Sequence, residues 1–501
     1  MADRSILVIG AGLAGLSTGV YARLNGYHVH VLERHTISGG VCTSWKRKGF
    51  EIDGCIHWLM GCTAGTDLRR IYEEVGAWDE ARLAPITHFV RQIDEAGGVS
   101  LDVTADLDRL QADLLALSPA DAPLTHEMMA AVRRLRGFDM PVARAQDLMG
   151  PLEGLKLLWG IRRQIPVFAR YNKVSCAQFS GRFQSPVLRR FLNFVPEMPV
   201  SFFFVVLAGL ADHDFMAWRG GSRGFAQAIE RRLRDLGGQL TFKADVQRIL
   251  VEGGRAVGVR LADGRELRSD VVVSAADAHA TLFGMLEGKY LTPRWKAAFD
   301  GWPLFRPVCL VSFGVSAGFD AAPASFTCWI ERPFACAGVP VDSFHVRLFR
   351  DDPQVAAEGE GVVQVTLETG WDGWDQLSRG PREAYDAAKE ALASEVVARL
   401  ERHLPGLGER VVMTDVATPA TFLRFANVYR GAYEGWLPTV ASQKVKLERT
   451  LPGLAGFHLV GQWVEPGGGV PPALFGGRHL VQRLCREDGK EFCAGQEPAG
   501  R

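Results

Sequence analysis

The sequence predicts an α/β protein: a Rossmann-like nucleotide-binding domain carrying an inserted α+β domain. Three observations predict it. Residues 1 to about 80 read strand, glycine-rich turn, helix, strand, the texture of a βαβ unit; residues 222–285 return to that texture; and residues 415–485 end in a strand, a glycine cluster and a helix. At ~150 residues per domain, 501 residues hold about three domain-sized units. The economical partition has two domains, each assembled from discontinuous pieces. Residues 1–84, 215–288 and 415–485 form the nucleotide-binding domain, and residues 85–214 and 289–414 form the insert. The polar, Gly-rich tail 486–501 is expected to be disordered.

Taken in order, Ser5–Ile9 is an apolar strand, a helix runs through Leu24, His28–Leu32 is a second strand, and Phe50 opens another. Residues 85–210 are mostly helical in pattern. Phe225–Leu236 is an amphipathic helix closed by Gly237 and Gly238, as expected of C-terminal cap glycines. Four short strands follow, Gln239–Lys243, Val246–Glu252, Ala256–Leu261 and Val271–Ser274, with turns at Gly253-Gly254 and Asp263-Gly264. A second alternating set comprises Cys309–Val315, Thr327–Glu331, Phe344–Phe349 and Val362–Glu368, and a long helix near Pro381–His403 follows.

Composition excludes several classes of function. Hydrophobic residues at 47% and charged residues at 23% suit a large soluble core. The 57 basic and 57 acidic side chains cancel, so no nucleic-acid partner is indicated. The 9 cysteines contain no C-x-x-C pair, which points to a reducing, cytoplasmic setting and to no zinc or other metal site. The opening MADRSILVIG reads as a buried strand rather than a signal peptide. The longest nearly apolar run, Met198–Ala211, is 14 residues, short of the ~18 that span a bilayer. From Gly154 to Phe194 the chain has eight basic residues and no acid, interleaved with apolar ones. That pattern fits either a helical cap over a substrate tunnel or a surface, 154–210, resting on the inner face of an anionic membrane.

The Ser5–Ile9 strand runs directly into Gly10-Ala-Gly12-Leu13-Ala14-Gly15 and a helix, and the second strand ends in Glu33, 18 residues after Gly15, with Arg34 beside it. This context makes G-x-G-x-x-G a dinucleotide fingerprint. Gly10 allows the tight turn, Gly12 lets the backbone approach a pyrophosphate, and Gly15 lets helix and strand pack closely. The helix N-terminus offers N–H groups to phosphate, and Glu33 is placed for ribose hydroxyls. The fingerprint alone does not choose between FAD and a nicotinamide.

A second glycine loop, Ser38-Gly39-Gly40-Val41-Cys42-Thr43-Ser44, follows the acidic residue. This arrangement resembles the flavin amine-oxidase and phytoene-desaturase superfamily, in which a G-G-x-x-x-S loop follows the ribose-binding Glu. Val41 stands where that superfamily usually has Arg. The glycine-rich lead Trp218–Ala228, the segment Ala244–Ile249 with Val246 at the adenine position, and Val271–Asp277 recur in the family's order. So does Gly456–Ala473, which contains Gly461, Gln462, Trp463, Glu465, Pro466, Gly467, Gly468, Gly469 and Val470. Its P-G-G-G-V-P cluster resembles the C-terminal signature of carotenoid desaturases and isomerases more than that of amine oxidases. Gln462 replaces the acid that many superfamily members use for the ribityl chain. Arg430 and Tyr433 resemble an R-G-x-x-x-G segment near the flavin.

The resemblance implies a glutathione-reductase-type FAD-binding domain. It also implies hydride transfer at flavin N5 to or from a long apolar polyene or isoprenoid, by desaturation, saturation or isomerisation. Glu465, Trp463 and His57 are the candidates for the reacting site, with Glu465 as acid or base of raised pKa. No second strand–G-x-G-x-x-G–helix unit follows residue 50; NAD(P)H would have to meet the flavin face transiently. The alternatives are a flavin amine oxidase, which an aromatic pair before the last helix would favour, and a non-catalytic flavin-bound lipid-binding protein.

Overall fold

The computed structural model describes residues 4–193, 195–350 and 352–495. Its first layer is a five-stranded parallel sheet in the order Phe457–Leu459, Val271–Ser274, Ser5–Ile9, His28–Leu32, Gln239–Thr241. Ser5–Ile9 is paired on both sides, and its alternate side chains enter two different cores. Ile6 and Val8 pack beneath the helices Leu13–Leu24, Gly221–Asp235 and Val470–Glu487. Leu7 and Ile9 face the antiparallel meander Val246–Glu252, Arg255–Leu261, Glu266–Arg268. A strand covered on both faces needs an unbroken apolar run, which is why this segment does not alternate.

The helices Leu13–Leu24 and Val470–Glu487 cross at backbone contact. A Cβ at Gly477 would stand 2.6 Å from the Thr18 amide nitrogen. Beside the crossing, the Ser17 hydroxyl donates to the Leu474 carbonyl at 2.7 Å.

The second layer is a seven-stranded sheet in the order Val411–Ala417, Val308–Val315, Gly361–Glu368, Val339–Phe349, Ser325–Cys336, His88–Asp94, Val99–Thr104. Neighbours are antiparallel except Ser325–Cys336 with His88–Asp94. One face packs on the helices Trp371–Arg379 and Arg382–Leu400. The hairpin His88–Thr104 corrects the helical reading of 85–210: its outer partner lies some 230 residues away in the chain, so no local pattern announces it. Residues Leu107–Ala211 are helical and build their own core around Phe179, Phe183 and Phe204.

The expected disorder of the tail is also corrected within the described residues. The last helix reaches Glu487, Asn25 exchanges two hydrogen bonds with the Cys493 backbone at 2.7 and 2.8 Å, and the Phe492 ring packs 5.9 Å from that of Tyr21. The remainder of the tail call, residues 496–501, lies outside the described residues. Among the described residues, no helix is long and apolar enough to cross a membrane, and no cluster of His, Cys, Asp or Glu could hold a metal.

The helix crossing gives a prediction. Gly477→Ala forces a methyl against the Thr18 backbone and should cost about 1–3 kcal/mol, the range for overpacking. Gly154→Ala, in a helix where a Cβ meets nothing within 4 Å, should be neutral or stabilising. Thermal unfolding of the two variants against wild type reads the difference; equal melting temperatures would contradict the crossing.

Candidate functional site

A cavity of about 1720 Å³ opens where the first sheet ends in glycine turns. Small-molecule pockets usually measure about 300–1000 Å³, so this one has room for two ligands end to end. At one end, Gly10 turns at φ +96°, a conformation that favours glycine. The following helix begins at Leu13 on Gly12 with no side-chain cap. The helix start is therefore bare backbone facing the cavity, carrying the partial positive charge of its dipole. A Cβ on Gly15 would collide with the Gly10 carbonyl oxygen, and Gly15 does not line the cavity. The second glycine loop folds over the first: the Gly39 amide donates to the Ala11 carbonyl at 2.8 Å, and a Cβ on Gly40 would stand 3.4 Å from the Gly12 Cα.

Glu33 is buried and fixed. Its carboxylate accepts from the Ala11 and His35 amides, each at 2.8 Å, leaving lone pairs toward the cavity. Its own carbonyl accepts from the Ala244 amide at 2.9 Å, which draws Val246 to the same wall. Arg34 lines this end and donates to the Arg424 carbonyl at 3.3 Å. Ser44 lines the cavity with its hydroxyl bonded to the Glu51 carboxylate. Side chains are absent where a pyrophosphate must approach and a carboxylate stands where a ribose must be held; the residues fit a dinucleotide.

At the other end, the Phe457–Leu459 strand leads to Gly461 at φ +103°, and Gly467, Gly468 and Gly469 all have positive φ. The helix Val470–Glu487 then starts, again with no side-chain cap. Gly461, Gln462, Gly468, Gly469 and Val470 all line the cavity. Two uncapped helix N-termini thus converge on one space.

The three candidate reacting residues fare differently. Glu465 does not line the cavity: its carboxylate is ion-paired with Arg449, which turns it away from any substrate. Trp463 touches the cavity wall, but its ring is 4% exposed and packs edge to face on Trp436 at 5.1 Å and near Phe299 at 6.3 Å, as part of the core under the meander. His57 does line the cavity, stacked on His345 at 5.8 Å. Burial, and then the neighbouring Arg347 guanidinium, push the His57 pKa well below the usual histidine value, and the same causes put His345 at about 4. Both rings are therefore neutral near pH 7. Glu465 is accordingly reassigned to structure, while Trp463 lines the cavity as an edge of that core.

Residues 427–436 hold more than their motif suggests. Arg430 points to Asp372 at 3.0 Å on the surface, whereas Tyr433 and Glu434 line the cavity. Glu434 lies against the glycine cluster: a Cβ on Gly468 would meet its side chain at 2.7 Å. Burial raises its carboxyl to about 7, and raises Asp277, another lining residue, to about 6. Nothing in the sequence distinguishes Glu434 from Glu465; the direction of each side chain depends on how the glycine cluster turns.

Beyond Glu434 the cavity continues between the helical insert, through Phe138, Phe168, Met198 and Phe202, and the wall made by Phe305 and Leu437. Arg306 spans it, bonded to Glu368 at 2.9 Å on the sheet and to Glu197 at 3.2 Å on the insert.

Fold and site together define a flavin-type oxidoreductase, an enzyme with a Rossmann-like nucleotide-binding domain. The NAD(P)-binding Rossmann-like domain family matches residues 8–75. The whole chain superposes on cyclohexylamine oxidase from Brevibacterium oxydans IH-35A with a TM-score of 0.60 at 15% identity, covering 97% of this chain and 100% of that one. An oxidoreductase from Methanosarcina mazei superposes with a TM-score of 0.59 at 17% identity, covering 95% and 100%. Within that class, the chain is phytoene desaturase- and carotenoid isomerase-like over nearly its full length. It is 27% identical to a chloroplastic prolycopene isomerase of an Oncidium hybrid cultivar, over 97% of this chain and 84% of that one. It is 25% identical to the neurosporene-forming phytoene desaturase of Cereibacter sphaeroides, over 100% and 98%.

The two fingerprint glycines should fail differently. A Cβ on Gly12 has no protein atom nearer than the Gly39 carbonyl oxygen at 3.9 Å, so Gly12→Val should fold and purify without flavin, its side chain occupying the pyrophosphate position. Gly15→Val breaks helix-to-strand packing and should lower the melting temperature itself. Absorbance of the bound flavin and the melting temperature, measured on both variants, separate the cases; a Gly12→Val protein with full flavin occupancy would contradict the assignment.

Proposed function

We propose that the protein is an FAD-dependent oxidoreductase that acts on a long apolar polyene or isoprenoid, changing or rearranging its double bonds. The observation that carries this reading is the continuity of one cavity, from Glu33 and the paired glycine loops, past the Gly461–Val470 cluster, into a chamber walled by phenylalanine and methionine. Bound FAD would supply a two-electron hydride acceptor or donor at its ring. Gly12, Gly40 and Glu33 would hold the adenosine and pyrophosphate half, with Val246 at the adenine. The N-terminus of the Val470–Glu487 helix would face the pyrimidine side of the ring, where its dipole favours negative charge. The chamber's aromatic walls would exclude water and align an extended hydrocarbon.

Relatives named as phytoene desaturases and prolycopene isomerases support this reading over amine oxidation. So does the placement of Trp463 and Trp436: these rings pack edge to face in the core rather than as a pair framing a substrate. With no second strand–G-x-G-x-x-G–helix motif in the sequence after residue 50, the proposed electron partner is one that reaches the flavin directly, such as oxygen, a quinone or a transient NAD(P)H.

We also propose peripheral attachment to the inner face of a membrane, in the cytoplasm, as the route by which such a substrate arrives. The helix Pro151–Gly160 has no buried residue; Leu152, Leu155 and Trp159 are 75%, 63% and 70% exposed. Lys156, Arg162 and Arg163 are exposed on and just beyond it. Arg170 and Arg182 pair with Glu127, and Arg190 with Asp94, so those three belong to the insert's own structure. The attachment narrows from 154–210 to the neighbourhood of this helix.

Two measurements test these proposals. Anaerobic incubation of the FAD-loaded protein with a panel of isoprenoids should bleach the flavin or change the polyene spectrum for at least one member; no response to any member, under oxidising or reducing conditions, would count against the substrate class. Sedimentation with anionic vesicles should decline with salt, and decline further in a Leu155→Ser, Trp159→Ser, Arg162→Glu, Arg163→Glu variant, since each basic residue near the surface contributes about 1 kcal/mol. Equal binding by variant and wild type would remove the membrane proposal.

A further inference from the structure

We infer that Glu434 is the catalytic acid–base group of this site, exchanging a proton with the substrate carbon chain beside the flavin. This rests on the proposed polyene reading and deepens it.

The argument begins with the carboxylates that line the cavity. Six of them are committed to protein partners. Glu33 accepts from two backbone amides, Glu197 and Glu368 bind Arg306, and Asp245 accepts from the Gln247 amide. Asp277 accepts from the Ala280 and Tyr429 amides, and Asp415 from Trp45 and Arg47. Glu434 is the one lining carboxylate with no hydrogen-bond or ion-pair partner among the described residues. A carboxyl group enclosed by protein, pressed on the glycine cluster and left without a partner must satisfy its oxygens from the cavity contents.

Its position matches the chemistry. Gly468 admits the Glu434 side chain only because it has no Cβ, and Gly435 next to it lies against Gln462 in the same way. The carboxyl is thereby set at the junction between the glycine cluster, where a flavin ring would sit, and the apolar chamber. Burial alone raises its pKa to about 7, so both protonation states are populated at neutral pH. The adjacent Tyr433 phenol is raised by burial and then by Glu434, by Glu368 from the facing sheet and by Cys55 from the loop after Phe50–Asp53, so these are the titratable groups gathered around this segment. His57 cannot serve as the acid, since it is neutral well below pH 7.

In the desaturating direction a hydride, with its electron pair, leaves one substrate carbon for the bound FAD. The Glu434 carboxylate takes the proton from the adjacent carbon, and the electron pair of that C–H bond becomes the second bond of the new double bond. In the isomerising direction the neutral acid gives its proton to a polyene carbon. The resulting cation rotates about a bond that has become single, and Glu434 takes a proton back, with no net electron change.

The experiment compares wild type with E434Q and E434D, all FAD-loaded. Without substrate, the wild-type flavin absorbance should shift with a midpoint near pH 7 as the neighbouring carboxyl ionises; E434Q should lose this titration and E434D keep one. With a polyene on which wild type acts, E434Q should lose 10²–10⁴-fold in kcat, the range for a positioned acid or base, and E434D should recover part. The wild-type rate should show a limb near pH 7, rising with pH for proton removal and falling for proton donation, absent in E434Q. A titration unchanged in E434Q, turnover within about threefold of wild type, short of that range, or an E434Q protein that no longer retains FAD would each overturn the assignment. Failure of wild type on every polyene sinks the substrate reading instead, and the substrate-free titration still decides whether Glu434 ionises beside the flavin.

Discussion

The site depends on one close contact between two helices. For the N-termini of Leu13–Leu24 and Val470–Glu487 to open into the same cavity, the helices must cross with their backbones touching, and Gly477 against Ser17 and Thr18 is what permits it. The two segments begin some 450 residues apart, and the parallel pairings of Ser5–Ile9 with Val271–Ser274, and of that strand with Phe457–Leu459, bring their starting points together. Ser5–Ile9 and Phe457–Leu459 each lead into glycine turns, and each of these delivers a helix start with no side-chain cap. The convergence concentrates unpaired N–H groups and two helix dipoles on one volume, an environment made for phosphates and for negative charge developing on a ring.

Around that core the electrostatics divide by location. At the cavity Arg306 is held between Glu197 and Glu368, and this clamp ties the helical insert to the sheet across the cavity. The His57 and His345 imidazoles are held neutral by burial beside Arg347. Glu434 stands out as the lining carboxylate without a hydrogen-bond or ion-pair partner among the described residues. The exposed Leu152, Leu155, Leu158 and Trp159 sit together on Pro151–Gly160, a helix of the same insert whose Phe138 and Phe168 line the chamber.

Much of this was legible in the sequence because it is written in local signals. The glycine spacing from Gly10 to Gly15, the acid at Glu33 and the cluster at Gly467–Gly469 carry the nucleotide end, since backbone conformation and bare surface leave direct marks on residue type. Val246–Glu252 and Val271–Ser274 were equally readable, being short apolar runs between turns. What did not show was settled by distant partners. The His88–Thr104 hairpin needs the edge offered by Ser325–Cys336; residues 488–495 dock through Phe492 and Cys493 although their composition is that of a loose tail. Glu465 and Glu434 flank the same glycine cluster in space, and only the positions of Arg449 and Gly468 decide which one faces the cavity.

The central claim is that a single cavity seats the nucleotide and an extended hydrocarbon in line, joined at the Gly461–Val470 cluster. A crystal structure of the protein with FAD and a bound polyene tests it most directly. The account predicts pyrophosphate against Gly12 and Gly40, the ring against Gly468–Val470 with Glu434 at its edge, and the hydrocarbon running on between Phe202 and Phe305. A nucleotide bound away from the two helix N-termini, or a polyene held on a surface not continuous with the flavin, would contradict it.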